Sequence, residues 1–389
     1  IRKYRVAPLD CREPVQMFLR VRPRRQCGVE QIDLPAHASL SDSQHWQRLS
    51  LVPGERISVI IPCYNATATL EACVRSVIAT GYADLEVVLV DDVSSDATPE
   101  LIAALAAEFP DQIRALRQPA QGGPAKARNA GADMASGAYL FFLDSDTVMD
   151  GHALDRFAAR IRDAAAVVGI YEAEPLNPGL VSRYKGYLNH YFFARGGVIS
   201  YEVFDSARAG IRADVFRELG GYNTSLEWGM DFENEELGYR IIKKHRLVLD
   251  PAIHVGHHFP GFAKLTRTYF TRVAQWMEIF MIRRKFESGG VTSAGTGMSS
   301  AALLCALASL PGMIAHPAVG FVSLVLWLVY LWGYGGFFPF VLKRRPFYAP
   351  VAVLLNMYFT VVLACGALTG ALRVISGRSR MRELIGARI

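Results

Sequence analysis

Residues 139–143, YLFFL, form a short apolar run that stops abruptly at two carboxylates one residue apart, Asp144 and Asp146. A continuous aromatic and aliphatic run of this kind predicts a strand buried on both faces, as in parallel sheets covered by helices. The last residues of such a strand emerge at the carboxyl edge of the sheet, the usual ligand crevice of open α/β folds. Two acids at that edge repel each other unless a cation sits between them. A hard divalent ion shared with a phosphorylated ligand meets the need, because Mg2+ typically takes one or two carboxylates plus substrate phosphates. A solvated turn is the plain alternative, since turns use Asp freely.

Two upstream segments end in the same way. ISVIIPCY, residues 57–64, predicts a strand stopped by Pro62 and leading to Tyr64 and Asn65, and LEVVLV, residues 85–90, runs into Asp91 and Asp92. Helices are predicted over 69–80, closed by Gly81, and from Thr98 with Pro99 at its first position. After a short strand at 113–117, the Gly-rich turn at Gly122–Gly123 leads into a helix carrying Lys126, Arg128 and Asn129. Alternation at this spacing predicts a parallel sheet of right-handed βαβ units with its polar strand ends along one edge. The inventory there suits a nucleotide diphosphate: an aromatic ring for the base, carboxylates for base or ribose, and a metal with Lys126 or Arg128 for the phosphates. The first strand is followed by PCYNAT rather than G-x-G-x-x-G, and no G-x-x-x-x-G-K-[ST] occurs, which argues against hydride transfer and P-loop chemistry.

The chain is 51% hydrophobic with a net charge of +6, and its apolar excess lies near the C-terminus. Residues 318–340 and 347–371 are each long enough to span a bilayer, which takes about 20 residues, and 299–315, interrupted by Pro311, is a third span or a re-entrant piece. Residues 262–286 carry an apolar helical stripe suited to a membrane interface or to packing on the preceding domain. The basic clusters Arg283–Arg284–Lys285 and Lys343–Arg344–Arg345 and the tail after Arg373 mostly flank apolar segments, so the expected partner is a lipid bilayer and not nucleic acid. The six cysteines form no ligand-like spacing and read as reduced packing residues.

The segments SVIIPCYN, VLVDDVSSD, GGPAKARNAGADMASGAYLFFLDSD and GGYN…WGMDFENEELGYRI resemble the family 2 glycosyltransferases with a GT-A fold, over about residues 57–258. The resemblance implies an α/β fold with a mixed, mainly parallel sheet and helices on both faces, which the apolar C-terminal segments are expected to follow as transmembrane helices. It implies inverting transfer from a nucleotide-diphosphate sugar, with Mg2+ or Mn2+. By that similarity Pro62, Tyr64, Asn65, Asp92, Lys126, Arg128, Asp144 and Ser145 line the donor pocket, and Asp146, Asp144 and His257 hold the metal. Two positions depart from the family pattern. Val93 stands where Gly usually follows the second acid of the first motif. Asn234 stands where an Asp is usual, and an amide takes no proton at neutral pH. The base is therefore expected at Glu233, then Asp231, with Glu236 supporting its own helix.

The expected layout is an N-terminal extension (1–54), a catalytic domain (55–260), an amphipathic helix (261–288), two or three membrane spans (299–372) and a basic tail (373–389). The expected protein is an integral membrane enzyme with a cytosolic active site, acting on a glycan or lipid-linked hydroxyl. Two alternatives stand beside it. A polyprenyl-phosphate glycosyl synthase would need no base, because its acceptor is a phosphate. A membrane scaffold would keep the fold without turnover.

Overall fold

The computed structural model describes residues 55–225, 232–284 and 294–379. Among these, nine strands form one sheet in the order β3-β2-β1-β4-β8-β6-β9-β5, with β7 pairing β9 off this path. The strands are β1 (Ile57–Cys63), β2 (Leu85–Asp91), β3 (Ile113–Arg117), β4 (Tyr139–Leu143), β5 (Thr147–Met149), β6 (Ala166–Tyr171), β7 (Ile199–Ser200), β8 (Arg208–Arg212) and β9 (Leu247–His257). The first four are parallel neighbours, as the alternation predicts. Beyond β4 the sheet changes character. β8 runs antiparallel to both β4 and β6, β5 and β7 run antiparallel to β9, and only β6–β9 is parallel. The sheet is mixed, as expected, but mainly parallel only in its first half.

Helices cover both faces because side chains alternate along each strand. Ile57, Val59 and Ile61 pack with α1 (Leu70–Ile78), α2 (Thr98–Glu108) and α4 (Ala153–Arg160). Ile60 packs on the other face with α3 (Pro124–Met134), α6 (Ala213–Glu218) and α7 (Glu233–Ile242). Pro62 does not stop β1 but is its penultimate residue, paired with Val90. The ladder to β4 has already ended at Ile60↔Phe142, so a missing N–H there breaks no bond on that side. β9 outruns the expected RLVLD segment and continues through Pro251 to His257, across a register shift opposite Val168–Ile170.

The C-terminal helices pack on α5 (Leu180–Ala194), whose Tyr184, Tyr187 and Tyr191 share a cluster with Tyr330, Phe337 and Phe359. Tyr348 donates to the Leu180 carbonyl, Asn356 donates to Tyr184 Oη at 3.1 Å, and Arg345 donates to Tyr187 Oη at 3.2 Å. α8 (Phe262–Arg283) packs along α12 (Ala349–Ile375), where a Cβ on Gly370 would lie 2.1 Å from the Ala274 carbonyl oxygen. The stretch 318–340, expected as one span, is two helices, α10 (Pro317–Gly333) and α11 (Phe337–Arg344), bent by 65°. The break sits at Gly335–Gly336, where a Cβ on Gly336 would fall 1.8 Å from the Tyr191 hydroxyl. α9 (Ala294–Ala315) runs through Pro311 and packs on α10, with Ser323 Oγ donating to the Ala306 carbonyl at 3.4 Å. Among the described residues one helix, Pro346–Ile375, is long and apolar enough to cross a membrane, or two spans if the bent pair counts as one.

Candidate active site

Because β1, β2 and β4 are adjacent and parallel, their carboxyl ends open on one edge. Tyr64, just past β1, keeps 46% of its surface exposed. Asn65 takes a left-handed φ of 50° and accepts the Ser95 N–H at 2.9 Å, while its own N–H donates to Ser94 Oγ at 3.0 Å. These bonds join the loops after β1 and β2. Val93 also has a positive φ, 63°, at the position where the family pattern carries Gly. A β-branched residue is strained there.

Asp92 is buried, and its two carboxylate oxygens accept the Gly122 and Gly123 N–H groups, each at 2.8 Å. It therefore fixes the Gly-rich turn that opens α3. Lys126 is exposed in the first turn of that helix, and Arg128 is buried one residue beyond the next.

After β4 the chain turns sharply, with Thr147 Oγ1 donating to the Asp144 carbonyl at 2.7 Å. β5 then pairs with β9 so that Thr147 faces His257, and this register brings Asp146 to the imidazole, Oδ1 to Nε2 at 3.5 Å. Asp144 turns the other way and accepts from Arg128 Nη2 at 2.9 Å. The same guanidinium reaches Glu233 Oε1 at 3.3 Å and lies 5.6 Å from the Tyr222 ring centroid. Ser145 sits half-buried between the two acids. Asp144, Asp146 and Glu233 against Arg128 leave an excess of two negative charges at this edge.

Burial pushes the Asp146 carboxyl up, with His257 opposing. Burial pushes His257 down, opposed by Asp146 and Asp144. Arg128 is held above its ordinary range because Asp144, Tyr222 and Glu233 together outweigh its desolvation. Among the described residues no three His, Cys, Asp or Glu side chains are grouped to hold a metal alone. Asp146 and His257 still fit one as a pair. A buried imidazole kept neutral is the ligating form, its Nε2 faces a carboxylate, and diphosphate oxygens complete such a set. A mixed nitrogen and carboxylate pair suits Mn2+ better than the oxygen-preferring Mg2+.

Asp231 lies outside the described residues. Asn234 packs inward, its Oδ1 accepting the Ser206 N–H at 3.4 Å. Glu236 is buried and bound twice by Arg240, at 2.8 and 2.7 Å, so it supports α7 through an ion pair as well as through the helix dipole. Sequence reasoning missed the layer behind His257. Tyr171 packs on its ring at 4.8 Å between centroids, and the buried Arg208 stacks on Tyr171 at 3.9 Å while donating to Asp205 at 2.6 Å. β8, the strand that begins with Arg208, reads RAGIR, which carries no strand pattern.

The edge thus brings together carboxylates, a Gly-rich turn and a histidine facing a carboxylate. Residues 58–220 match the model of the family described as Glycosyl transferase family 2. Glycosyltransferase GlyG of Streptococcus pneumoniae is 31% identical over 144 residues, which cover 36% of this chain and 44% of that protein. Glycosyltransferase AglE of Haloferax volcanii is 28% identical over 201 residues, 49% of this chain and 65% of that protein. The succinoglycan biosynthesis protein ExoO of Rhizobium meliloti is 35% identical over 115 residues, 29% of this chain and 32% of that protein. The chain thus covers between about a third and two thirds of these relatives' own lengths. The solved mannosyltransferase PcManGT of Pyrobaculum calidifontis superposes with a TM-score of 0.49 at 17% identity, covering 86% of this chain and 94% of that one. The similarity to glycosyltransferases thus rests on the family 2 match at residues 58–220 and on these relatives.

Proposed function

We propose that the chain is a membrane-associated, metal-dependent, inverting glycosyltransferase. It moves a sugar from a nucleotide-diphosphate donor to a hydroxyl of a glycan or lipid-linked acceptor at the cytosolic face of a membrane. The observation that carries this reading is the approach of Asp146 to His257 at 3.5 Å, beside Asp144, on the edge of a domain that matches the family 2 model.

The exposed Tyr64 ring offers a surface for the base. Asp92 acts by holding the Gly122–Gly123 turn, which shapes the pocket wall beside it. Lys126, exposed at the start of α3, is free to approach the phosphates. Asp146 and His257 would hold a divalent cation, which would supply Lewis-acid charge to the departing nucleoside diphosphate. Arg128 links Asp144 on the donor side to Glu233 on the acceptor side, so one buried guanidinium sets the spacing of both. Glu233 takes the acceptor proton on the face of the sugar opposite the leaving group.

A second reading is favoured by the engagement of Glu233 with Arg128 and by the amide at Asn234. In it the acceptor is a polyprenyl phosphate and no base is needed. Glu233→Gln separates the two readings. A general base contributes roughly 10²–10⁴-fold in rate, so kcat should fall by about that factor while donor affinity stays unchanged. Near-normal turnover with loss in Asp231→Asn moves the role to Asp231. Full activity in both variants favours the phosphate acceptor. Neither transfer nor hydrolysis from any nucleotide sugar with Mn2+ would contradict the function itself.

A further inference from the structure

α8 and α12 lie side by side and run in the same direction. Phe262 meets Tyr358 at 4.9 Å between ring centroids, a Cβ on Gly366 would lie 2.6 Å from the Phe270 carbonyl oxygen, and Gly370 sits against Ala274. The glycines let the two backbones touch along the seam. Beside it an open groove of about 520 Å3 remains, within the roughly 300–1,000 Å3 of ordinary small-ligand sites. Phe262 and Phe270 of α8 and Tyr358, Val361 and Val362 of α12 form its walls. Spacings of three and four residues put them on one flank of the helix pair. The groove is apolar except at Thr266, Tyr358 and Arg267. Thr266 donates to the Phe262 carbonyl at 2.9 Å and meets the Tyr358 hydroxyl at 3.2 Å, so these two satisfy each other. Arg267 is exposed, and its guanidinium has no ion pair or hydrogen bond among the described residues. No acid lines the groove, and α12 carries none. The single acid of α8, Glu278, is engaged by Arg373 at 3.3 Å and Ser379 at 2.6 Å.

We propose that this groove binds an anionic glycerophospholipid of the membrane, with an acyl chain against Phe270, Val361 and Val362 and its phosphate on Arg267. An unpaired cation on an apolar groove calls for a ligand that is anionic at one point and hydrocarbon for the rest. The guanidinium fork matches phosphate oxygens two at a time, which a bare apolar flank cannot do. The proposal rests on the membrane association put forward above and goes beyond it. A bilayer would cover the helix pair without selection, whereas a bounded groove with one cation selects a single lipid by its headgroup charge. The lining comes entirely from α8 and α12, with no residue from the active-site edge, so this lipid is a fastening of α8 to α12 and not the acceptor.

The test uses the full chain, delipidated in dodecyl maltoside micelles, with lipid adducts counted by native mass spectrometry. Wild type should take up dioleoyl phosphatidylglycerol as a single adduct and take up no dioleoylglycerol, which lacks the phosphate. Arg267→Gln should weaken phosphatidylglycerol by about tenfold or more, the scale of a lost charge-assisted hydrogen bond, and Arg267→Lys by less. Val362→Trp, which fills the groove and leaves Arg267 in place, should abolish the adduct while melting like wild type. In wild type the lipid should also slow maleimide labelling of Cys365, which lines the groove, but not of Cys305, the exposed cysteine of α9. Peptide mapping reads both thiols and needs no variant to fold. Equal binding by Arg267→Gln and wild type, equal uptake of dioleoylglycerol, or an unprotected Cys365 would overturn the proposal. So would displacement of phosphatidylglycerol by a lower concentration of geranylgeranyl phosphate, which would give the groove to a lipid-linked acceptor. Flotation with phosphatidylglycerol vesicles tests membrane association separately, and wild type and Arg267→Gln should both float. Wild type left in solution would count against membrane association, and the micelle adducts would still decide the groove.

Discussion

Val93 holds a φ of 63° at the mouth of the site, one residue after the carboxylate that fixes the Gly122–Gly123 turn. A left-handed conformation costs an ordinary residue roughly 1–2 kcal/mol, and glycine returns about 0.5–1 kcal/mol of that through its greater unfolded-state entropy. Val93→Gly should therefore stabilise the protein by up to about 1 kcal/mol, read as a higher melting temperature in detergent. A lower one would mean that the Val93 side chain packs usefully. The strain itself could be anticipated, because the sequence has Val where the family pattern has Gly. The same holds for Asp92, Asp144 and Asp146, which follow strands that their own neighbours predict, and for Arg128, which lies within the helix after the Gly-rich turn. What local sequence does not carry is pairing. Nothing near Arg128 in the chain announces that it bridges Asp144 and Glu233, and nothing near Arg208 says that it stacks behind His257.

At the scale of elements, Glu86 of β2 ties three segments together. It accepts from Ser58 of β1, from the Ser136 N–H at 2.9 Å and Oγ at 3.1 Å, and from Arg114 of β3 at 3.2 Å. Burial pushes its carboxyl up, but those donors outweigh it and hold Glu86 below the usual range. A depressed folded-state value means that Glu86 stabilises above its unfolded value of about 4.3 and that this is lost as pH falls through the folded one. Glu86→Gln should thus lower stability at pH 7 by roughly 1–3 kcal/mol and flatten the acid limb of the stability curve. An unchanged acid limb would remove Glu86 from that role. The strands it joins were legible because apolar runs between helix signals have one plausible period. β8 was not, since RAGIR is strand only by virtue of its neighbours β4 and β6. The bend between α10 and α11 was also hidden, because length and apolarity alone cannot distinguish a straight span from one broken at Gly335–Gly336.

At the scale of the whole molecule, the C-terminal helices are built into the fold through the tyrosines of α5 and the length of α8. Membrane association, proposed from Pro346–Ile375, should leave the full chain in the pellet after alkaline carbonate extraction, and its release would contradict integral insertion. A chain ended at Ser288 should melt below the full-length protein, since Tyr184, Tyr187 and Tyr191 lose their cover. Equal melting temperatures would mean that the helices contribute nothing to the domain.

The central claim is that Asp146 and His257 hold a divalent cation against a donor diphosphate. Titration calorimetry of UDP and GDP, with and without Mn2+, on wild type and Asp146→Asn tests it most directly. The account predicts that one nucleotide binds wild type in the presence of Mn2+, that affinity collapses without the metal, and that Asp146→Asn abolishes the metal dependence along with tight binding while melting like wild type. Equal affinity in both proteins, indifferent to Mn2+, would contradict it.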